Sequence, residues 1–227
     1  MRSLDTSGLE ESTNSQVPRA YSGDGSHLDI DDVYWEAVAR RDRAALCNHT
    51  FFETAAPDQL QFRFLNEDVR VDLSNRCLLR RRESEWQLDD DRLLKLATVV
   101  YLKNIHAVYA LGQDLVGVRD LKEGHFFTGP HELRTAALKE RFGNDPEAFR
   151  RTGLALGGQP LDMADAGIRL LPFPRVPLYF LLWTGDEEFA PRVQVLFDRP
   201  IEDFLPADAI WALVNRVAYA FTQAQPL

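Results

Sequence analysis

Charged residues flank the apolar segments in the last third of the chain, and segment ends are where functional side chains commonly lie. Arg175 stands between Pro174 and Pro177, while Asp198 and Arg199 follow a second apolar segment. An arginine held rigid between prolines presents a planar fork of donors that suits a carboxylate or a phosphate. Two interpretations are open for Arg175: a structural pair with Asp198, or a receptor for the anionic group of a ligand.

A second group of candidates comes just before this arginine. Gly157 and Gly158 follow a predicted helix end, where glycines permit positive φ and let a backbone or a ligand approach closely. Asp162 and Asp165, three residues apart, could bind a cation or act as acid and base. The alternative for this group is a helix C-cap followed by a capped turn. The predicted ligand-binding residues are Arg175, Gly157, Gly158, Asp165 and Asp198.

An acidic run at residues 186–188 connects two predicted strands. If these strands form an antiparallel hairpin, the acidic run lies at one end and Arg175 with Asp198 at the other, which makes two patches. Carboxylates such as Asp162, Asp165, Asp186 or Glu187, used as acids, bases or metal ligands, would make the protein a hydrolase or a lyase. That is the alternative function.

Motifs that diagnose a particular chemistry are missing from the sequence. It contains no G-x-x-x-x-G-K-[ST], G-x-G-x-x-G, G-x-S-x-G or C-x-x-C. His131 and Glu132 begin an H-E-x-x pattern, but Thr135 occupies the position of the second zinc-binding histidine. The sequence therefore predicts no metal site and indicates no particular cofactor.

The composition and net charge of the chain exclude some classes of binding partner. Of 227 residues, 45% are hydrophobic and 27% charged, which is typical of one globular domain. The formal net charge of −9 argues against nucleic acids and anionic membranes as partners, since both are bound mainly through Lys and Arg; the basic run at residues 80–82 does not change this. With two cysteines, Cys47 and Cys77, a disulfide framework is excluded, and we expect a cytoplasmic protein.

The periodicity of apolar residues predicts an α+β fold. Residues 1–27 are rich in Ser and Gly and are expected to form a disordered or loosely attached tail, leaving a single domain at 28–227. A three-stranded antiparallel meander is predicted at residues 60–82, and a C-terminal hairpin at 176–197. About five helices are predicted to pack on these strands, at residues 29–45, 91–111, 131–142, 146–156 and 206–221.

Several segments resemble a known domain family of unknown function. They are L-A-L-G-G-Q-P at 154–160, P-R-V-P-L-Y-F-L-L-W-T-G-D-E-E-F at 174–189, V-L-F-D at 195–198 and L-P-A-D-A-I-W-A-L at 205–213. The resemblance spans about residues 30–222 and is more specific in the C-terminal half.

The resemblance implies an accessory role in anaerobic cofactor or one-carbon metabolism, because the family is found mainly in anaerobic bacteria and archaea and some members are fused to iron–sulfur modules. With two cysteines and no cluster motif, this chain departs from the fused members. From the residues and the resemblance together, we expect a binding or accessory protein that holds a small anionic molecule or a partner protein.

Overall fold

The computed structural model describes residues 30–226. Within this range the chain forms six α-helices and two five-stranded antiparallel sheets in one domain, which confirms the predicted α+β class. The predicted tail at residues 1–27 lies outside the described residues. None of the helices in the described range has the length and apolarity needed to cross a lipid bilayer.

The first sheet is an antiparallel meander whose strands follow one another in chain order. Its strands are β1 (Glu53–Ala56), β2 (Gln59–Phe64), β3 (Glu67–Asp72), β4 (Cys77–Arg82) and β5 (Glu85–Asp89). The predicted meander corresponds to β2, β3 and β4. The alternation in β2 and β3 places Phe62, Phe64 and Val69 on the buried face, opposite the exposed Arg63.

The second sheet has the strand order β6-β10-β9-β8-β7. Its strands are β6 (Leu115–Gly117), β7 (Gln159–Leu161), β8 (Ala166–Phe173), β9 (Val176–Trp183) and β10 (Arg192–Asp198). The predicted hairpin is confirmed, since β9 and β10 pair antiparallel with Phe197 opposite Leu178. β9 occupies the centre of the sheet and is buried along nearly its whole length, as its continuous apolar run requires.

Six helices cover the sheets: α1 (Asp32–Ala39), α2 (Arg43–Thr50), α3 (Arg92–Asn104), α4 (Ala136–Phe142), α5 (Pro146–Ala155) and α6 (Ala207–Gln223). The first predicted helix is in fact two helices, because Asp42 caps α2 by accepting a hydrogen bond from the Ala45 N–H at 2.7 Å. The second predicted helix, at residues 91–111, corresponds to α3 and is shorter than predicted. Arg41 donates to the carbonyls of Leu102 and Lys103 in its last turn, at 2.8 and 3.0 Å.

An aromatic cluster joins the two sheets to α3. Phe62 of β2 lies 5.3 Å from Phe173 of β8, and Phe173 stacks on Tyr101 of α3 at 5.0 Å between ring centroids. Phe52 stacks on Phe62 at 4.3 Å. These contacts make one continuous core, so the two sheets belong to a single folding unit.

Candidate functional site: an arginine-lined cleft

A cleft of about 620 Å³ opens where β4 and the loop after β5 meet the first turn of α3, α4 and one face of α6. Of the residues that the structure describes, five arginines and three aspartates line it, which gives a formal excess of two positive charges in a chain of net charge −9. We call it the arginine cleft. Its charged lining residues are Arg80, Arg82, Arg92, Arg134, Arg216, Asp89, Asp90 and Asp91.

Arg80 is the fixed centre of the charged lining. Alternation along β4 places its side chain on the same buried face as Leu78, and Arg80 is only 2% exposed. Its guanidinium lies 2.7 Å from Asp89 and 3.5 Å from Asp91, and it also pairs with Glu67. Burial by itself would lower the pKa of this guanidinium, but Asp89 and Glu67 outweigh burial and raise the pKa. Arg80 therefore stays charged and holds Asp91 in position.

Arg216 of α6 is held by the same aspartate. Its Nε donates to Asp91, its side chain is 15% exposed, and its guanidinium lies 5.2 Å from the ring centroid of the buried Phe64. The Nη1 atom is buried and has no hydrogen-bond partner within the described residues. The chain thus positions this guanidinium from two sides and leaves one of its buried donors unused.

Asn215 precedes Arg216 and supplies a second unused donor. The residue is 2% exposed, and its Oδ1 accepts a hydrogen bond from the backbone N–H of Arg134 at 2.8 Å. This contact fixes the orientation of the side-chain amide, whose Nδ2 is buried without a partner in the described part of the chain. Two adjacent residues of α6 that line the cleft therefore each carry a buried N–H donor without a partner among the described residues.

The arginine cleft is suited to the recognition of negative charge. Among the described residues that line it there is no cysteine, serine or histidine that could act as a nucleophile or a neutral-pH base. The hydroxyl of Thr222 is used in a hydrogen bond to the Ala218 carbonyl at 2.7 Å. Arginine forks and amide donors in a concave site are groups that bind phosphates and carboxylates.

The sequence-predicted residues Arg175 and Asp198 lie at the same end of the β9–β10 hairpin and line a cavity of about 10 Å³. They do not form the predicted pair, because among the described residues no ion pair within 4.0 Å joins them. Arg175 instead donates to the Tyr109 carbonyl and lies 4.9 Å from the ring centroid of Phe51. Arg199 pairs with Asp114 at 2.5 Å.

Asp198 has other partners. Its carboxylate accepts hydrogen bonds from the Gly112 N–H at 2.5 Å and from the Tyr179 hydroxyl at 3.0 Å. Burial and the neighbouring Asp198 carboxylate raise the pKa of Tyr179 to about 12. Because these two donors are already in place, Asp198 anchors the loop after α3 to β9 and does not need the arginine.

Asp165 lies at the opposite end of the second sheet from Arg175. Its Oδ2 accepts hydrogen bonds from the N–H of Thr184 at 2.8 Å and from its hydroxyl at 2.9 Å, and these bonds lower the pKa of Asp165. The intervening strand β9 has eight residues, and at about 3.3 Å per residue its ends are roughly 25 Å apart. One ligand of ordinary size cannot contact both residues.

Gly157 and Gly158 end α5. Gly157 has a φ of +79°, and the Gly158 N–H donates to the Gly153 carbonyl at 2.9 Å, which is a helix C-cap. A Cβ on Gly158 would lie 2.6 Å from that carbonyl and 2.8 Å from Ile168. The space beside Gly158 is thus filled by the protein itself, and the five predicted residues are distributed over three separate places.

The carboxylates of the alternative function are either exposed or have hydrogen-bond partners nearby in the chain. Asp162 is exposed, and Asp186 accepts hydrogen bonds from the N–H groups of Glu188 and Phe189 at 2.9 and 2.7 Å within its own loop. Within residues 30–226, no three His, Cys, Asp or Glu side chains are grouped so that they could hold a metal ion.

A family model describes most of this chain. The model of the domain of unknown function DUF3786 matches residues 42–220, which include both sheets and nearly all of the cleft lining. The chain belongs to the DUF3786 family. The domain family inferred from the C-terminal segments is thereby confirmed as one of unknown function. No curated protein and no solved structure matches the chain.

The residues of the arginine cleft were not among those predicted from the sequence, although two signals for them exist in this DUF3786 domain. The side chains of Arg80 and Leu78 lie on the same buried face of β4, and a charged residue at a core-facing strand position requires partners. Asn215 lies within a long apolar segment of α6, where eleven residues are buried. A buried polar residue in such a helix indicates either a hydrogen-bond network or a ligand.

Proposed function

We propose that this protein binds a small anionic molecule in the arginine cleft and acts as a binding or accessory protein. The observation that carries the proposal is the pair of buried donors, Arg216 Nη1 and Asn215 Nδ2, which have no partner among the described residues. A buried donor left without a hydrogen bond costs about 1–3 kcal/mol. An oxyanion that accepts from both donors would recover this free energy on binding.

The cleft is also preorganised for such a ligand. Asp91 and the ring of Phe64 hold the Arg216 guanidinium, and the backbone of Arg134 orients the Asn215 amide, so little side-chain freedom is lost on binding. The excess of two positive charges in the lining suits a dianion, such as a phosphate monoester or a dicarboxylate.

The setting of this binding function is part of the same proposal. Anaerobic cofactor or one-carbon metabolism is the setting that the family resemblance implies, the cytoplasmic location is a prediction from the sequence, and a partner protein is the other predicted occupant. The hydrolase or lyase alternative has less support, because Asp165 and Asp186 already accept hydrogen bonds from nearby residues.

Isothermal titration calorimetry with inorganic phosphate, pyrophosphate and citrate at low ionic strength tests the proposal. We expect at least one of these anions to bind the full chain, and Asn215→Asp to weaken binding at least tenfold. This variant keeps an oxygen for the Arg134 N–H, but it replaces the unused donor with a negative charge.

Arg151→Gln is the matched control, since Arg151 is exposed on α5 and outside the cleft lining. It changes the net charge by the same amount and should leave the affinity nearly unchanged. Equal losses in Asn215→Asp and Arg151→Gln would mean that only the overall charge matters. If none of the three anions binds the unaltered protein, the proposal is wrong.

A further inference from the structure

The face of α6 that lines the arginine cleft continues beyond its two unused donors. Arg216, Tyr219 and Thr222 all line the cleft and follow one another at intervals of three residues along the helix. At about 1.5 Å of rise per residue, Thr222 lies roughly 9 Å along the axis from Arg216. The cleft is therefore an elongated site with the anion-binding donors near one end.

Tyr219 is the aromatic residue of this elongated site. It is 61% exposed, whereas Val217, Ala218 and Phe221 beside it on α6 are buried. Its ring centroid lies 5.8 Å from the Arg216 guanidinium, which is also 5.2 Å from the ring of Phe64. The guanidinium is thus bordered by two aromatic rings, one buried in the core and one exposed within the cleft.

The size of the cleft also indicates a ligand larger than a single anionic group. A volume of about 620 Å³ lies within the range of about 300–1,000 Å³ that is typical of sites for whole organic ligands. It is far larger than an isolated phosphate or carboxylate requires. The part of a ligand beyond its anionic group would lie among Tyr219, Leu93 and Ala137, which present ring and aliphatic surface.

Resting on the proposed anion binding, we infer that the ligand carries a planar aromatic ring next to its anionic group and that this ring stacks on Tyr219. A nucleoside monophosphate is a ligand of this chemical class. Its phosphate accepts hydrogen bonds from Arg216 and Asn215, and its base lies against the exposed ring. The base then extends the series of contacts that the Phe64 ring, the Arg216 guanidinium and the Tyr219 ring already form.

Matched ligands test this inference by calorimetry on the full chain. AMP and UMP each carry a base on the same sugar phosphate, whereas ribose 5-phosphate carries none. We expect AMP to bind about tenfold more tightly than ribose 5-phosphate, and UMP to bind with intermediate affinity, because base–aromatic stacking scales with the ring surface. Tyr219→Leu should remove most of this difference, because the ring on which the base stacks is lost.

Tyr219→Phe is the conservative control and should bind AMP as the unaltered protein does, since it keeps the ring. Equal affinities for AMP and ribose 5-phosphate, both weakened by Asn215→Asp, would overturn the aromatic ligand and leave the anion site standing. Tyr219→Leu binding AMP as tightly as the unaltered protein would overturn the role of Tyr219. Failure of every anion to bind would overturn the proposed function together with this inference.

Discussion

Replacing Arg80 by methionine tests whether the buried ion network organises the arginine cleft. The guanidinium contacts Glu67, Asp89 and Asp91, and its side chain is 3% exposed, compared with 8% for Asp89 and 15% for Asp91. Methionine fills much of the same volume but leaves these carboxylates without their central cation. Breaking a buried ion pair by removing one partner typically costs about 3–5 kcal/mol.

We therefore expect Arg80→Met to lower the free energy of unfolding by about 3–5 kcal/mol, with an unchanged m-value, in urea denaturation at pH 7. For a chain of this size, such a loss corresponds to a fall in melting temperature of roughly 6–20 °C. The value should lie near the lower limit, because Glu67 is 33% exposed and water compensates part of its loss.

Arg82→Met is the matched control for this measurement. Arg82 is the next residue but one on β4, pairs with the same Glu67 at 3.0 Å and has a side chain that is 56% exposed. Exposed ion pairs contribute about 0–1 kcal/mol, so this variant should be nearly as stable as the unaltered protein. If Arg80→Met is also destabilised by less than about 1 kcal/mol, the ion network does not hold the cleft together.

Three further predictions concern the second sheet. The folded pKa of Tyr179 is raised above its ordinary value, so its hydroxyl stabilises the unaltered protein below about pH 10, and this stabilisation is lost as the pH rises to about 12. Tyr179→Phe should lack this pH-dependent part of the free energy of unfolding, which urea denaturation across the same pH range measures. The pKa of Asp165 is lowered in the folded protein, so its carboxylate stabilises the fold above the ordinary carboxyl pKa, and this stabilisation is lost as the pH falls through the folded pKa. Thermal melts from pH 7 to pH 3 should show this loss in the unaltered protein and not in Asp165→Asn, which keeps an oxygen for Thr184. Arg175→Lys and Asp198→Asn should have additive effects on the free energy of unfolding, since the two side chains have different partners, and a coupling energy above about 0.5 kcal/mol in the double variant would show that they interact after all.

The fold could be predicted from the sequence wherever apolar periodicity is strong. The apolar run of β9 predicted one strand of the C-terminal hairpin, and the alternation in β2 and β3 gave most of the meander. The edge strands β1 and β5 were missed, because most of their residues are exposed and they lack a regular apolar alternation. Their pairing depends on the neighbouring strand more than on their own side chains.

The candidate site was less predictable, because its residues come together only through tertiary contacts. Arg80 and Arg216 are 136 positions apart in the sequence and meet through Asp91, the residue that caps α3. From neighbouring residues in the sequence alone, the basic run that contains Arg80 indicates a solvated patch, and Asp91 indicates a helix cap. The predicted residues Arg175, Asp165 and Gly158 were selected by the local features of charge and turn type, which also occur at strand ends and helix caps.

A titration followed by NMR tests the central claim most directly. The side-chain amide signal of Asn215, assigned by its disappearance in Asn215→Asp, reports on one of the two buried donors. Upon addition of inorganic phosphate, we predict that this signal shifts in a saturable manner, as expected for a new hydrogen bond to an oxyanion. An Asn215 signal that stays in place while phosphate shifts exposed side chains elsewhere would contradict anion binding in the arginine cleft.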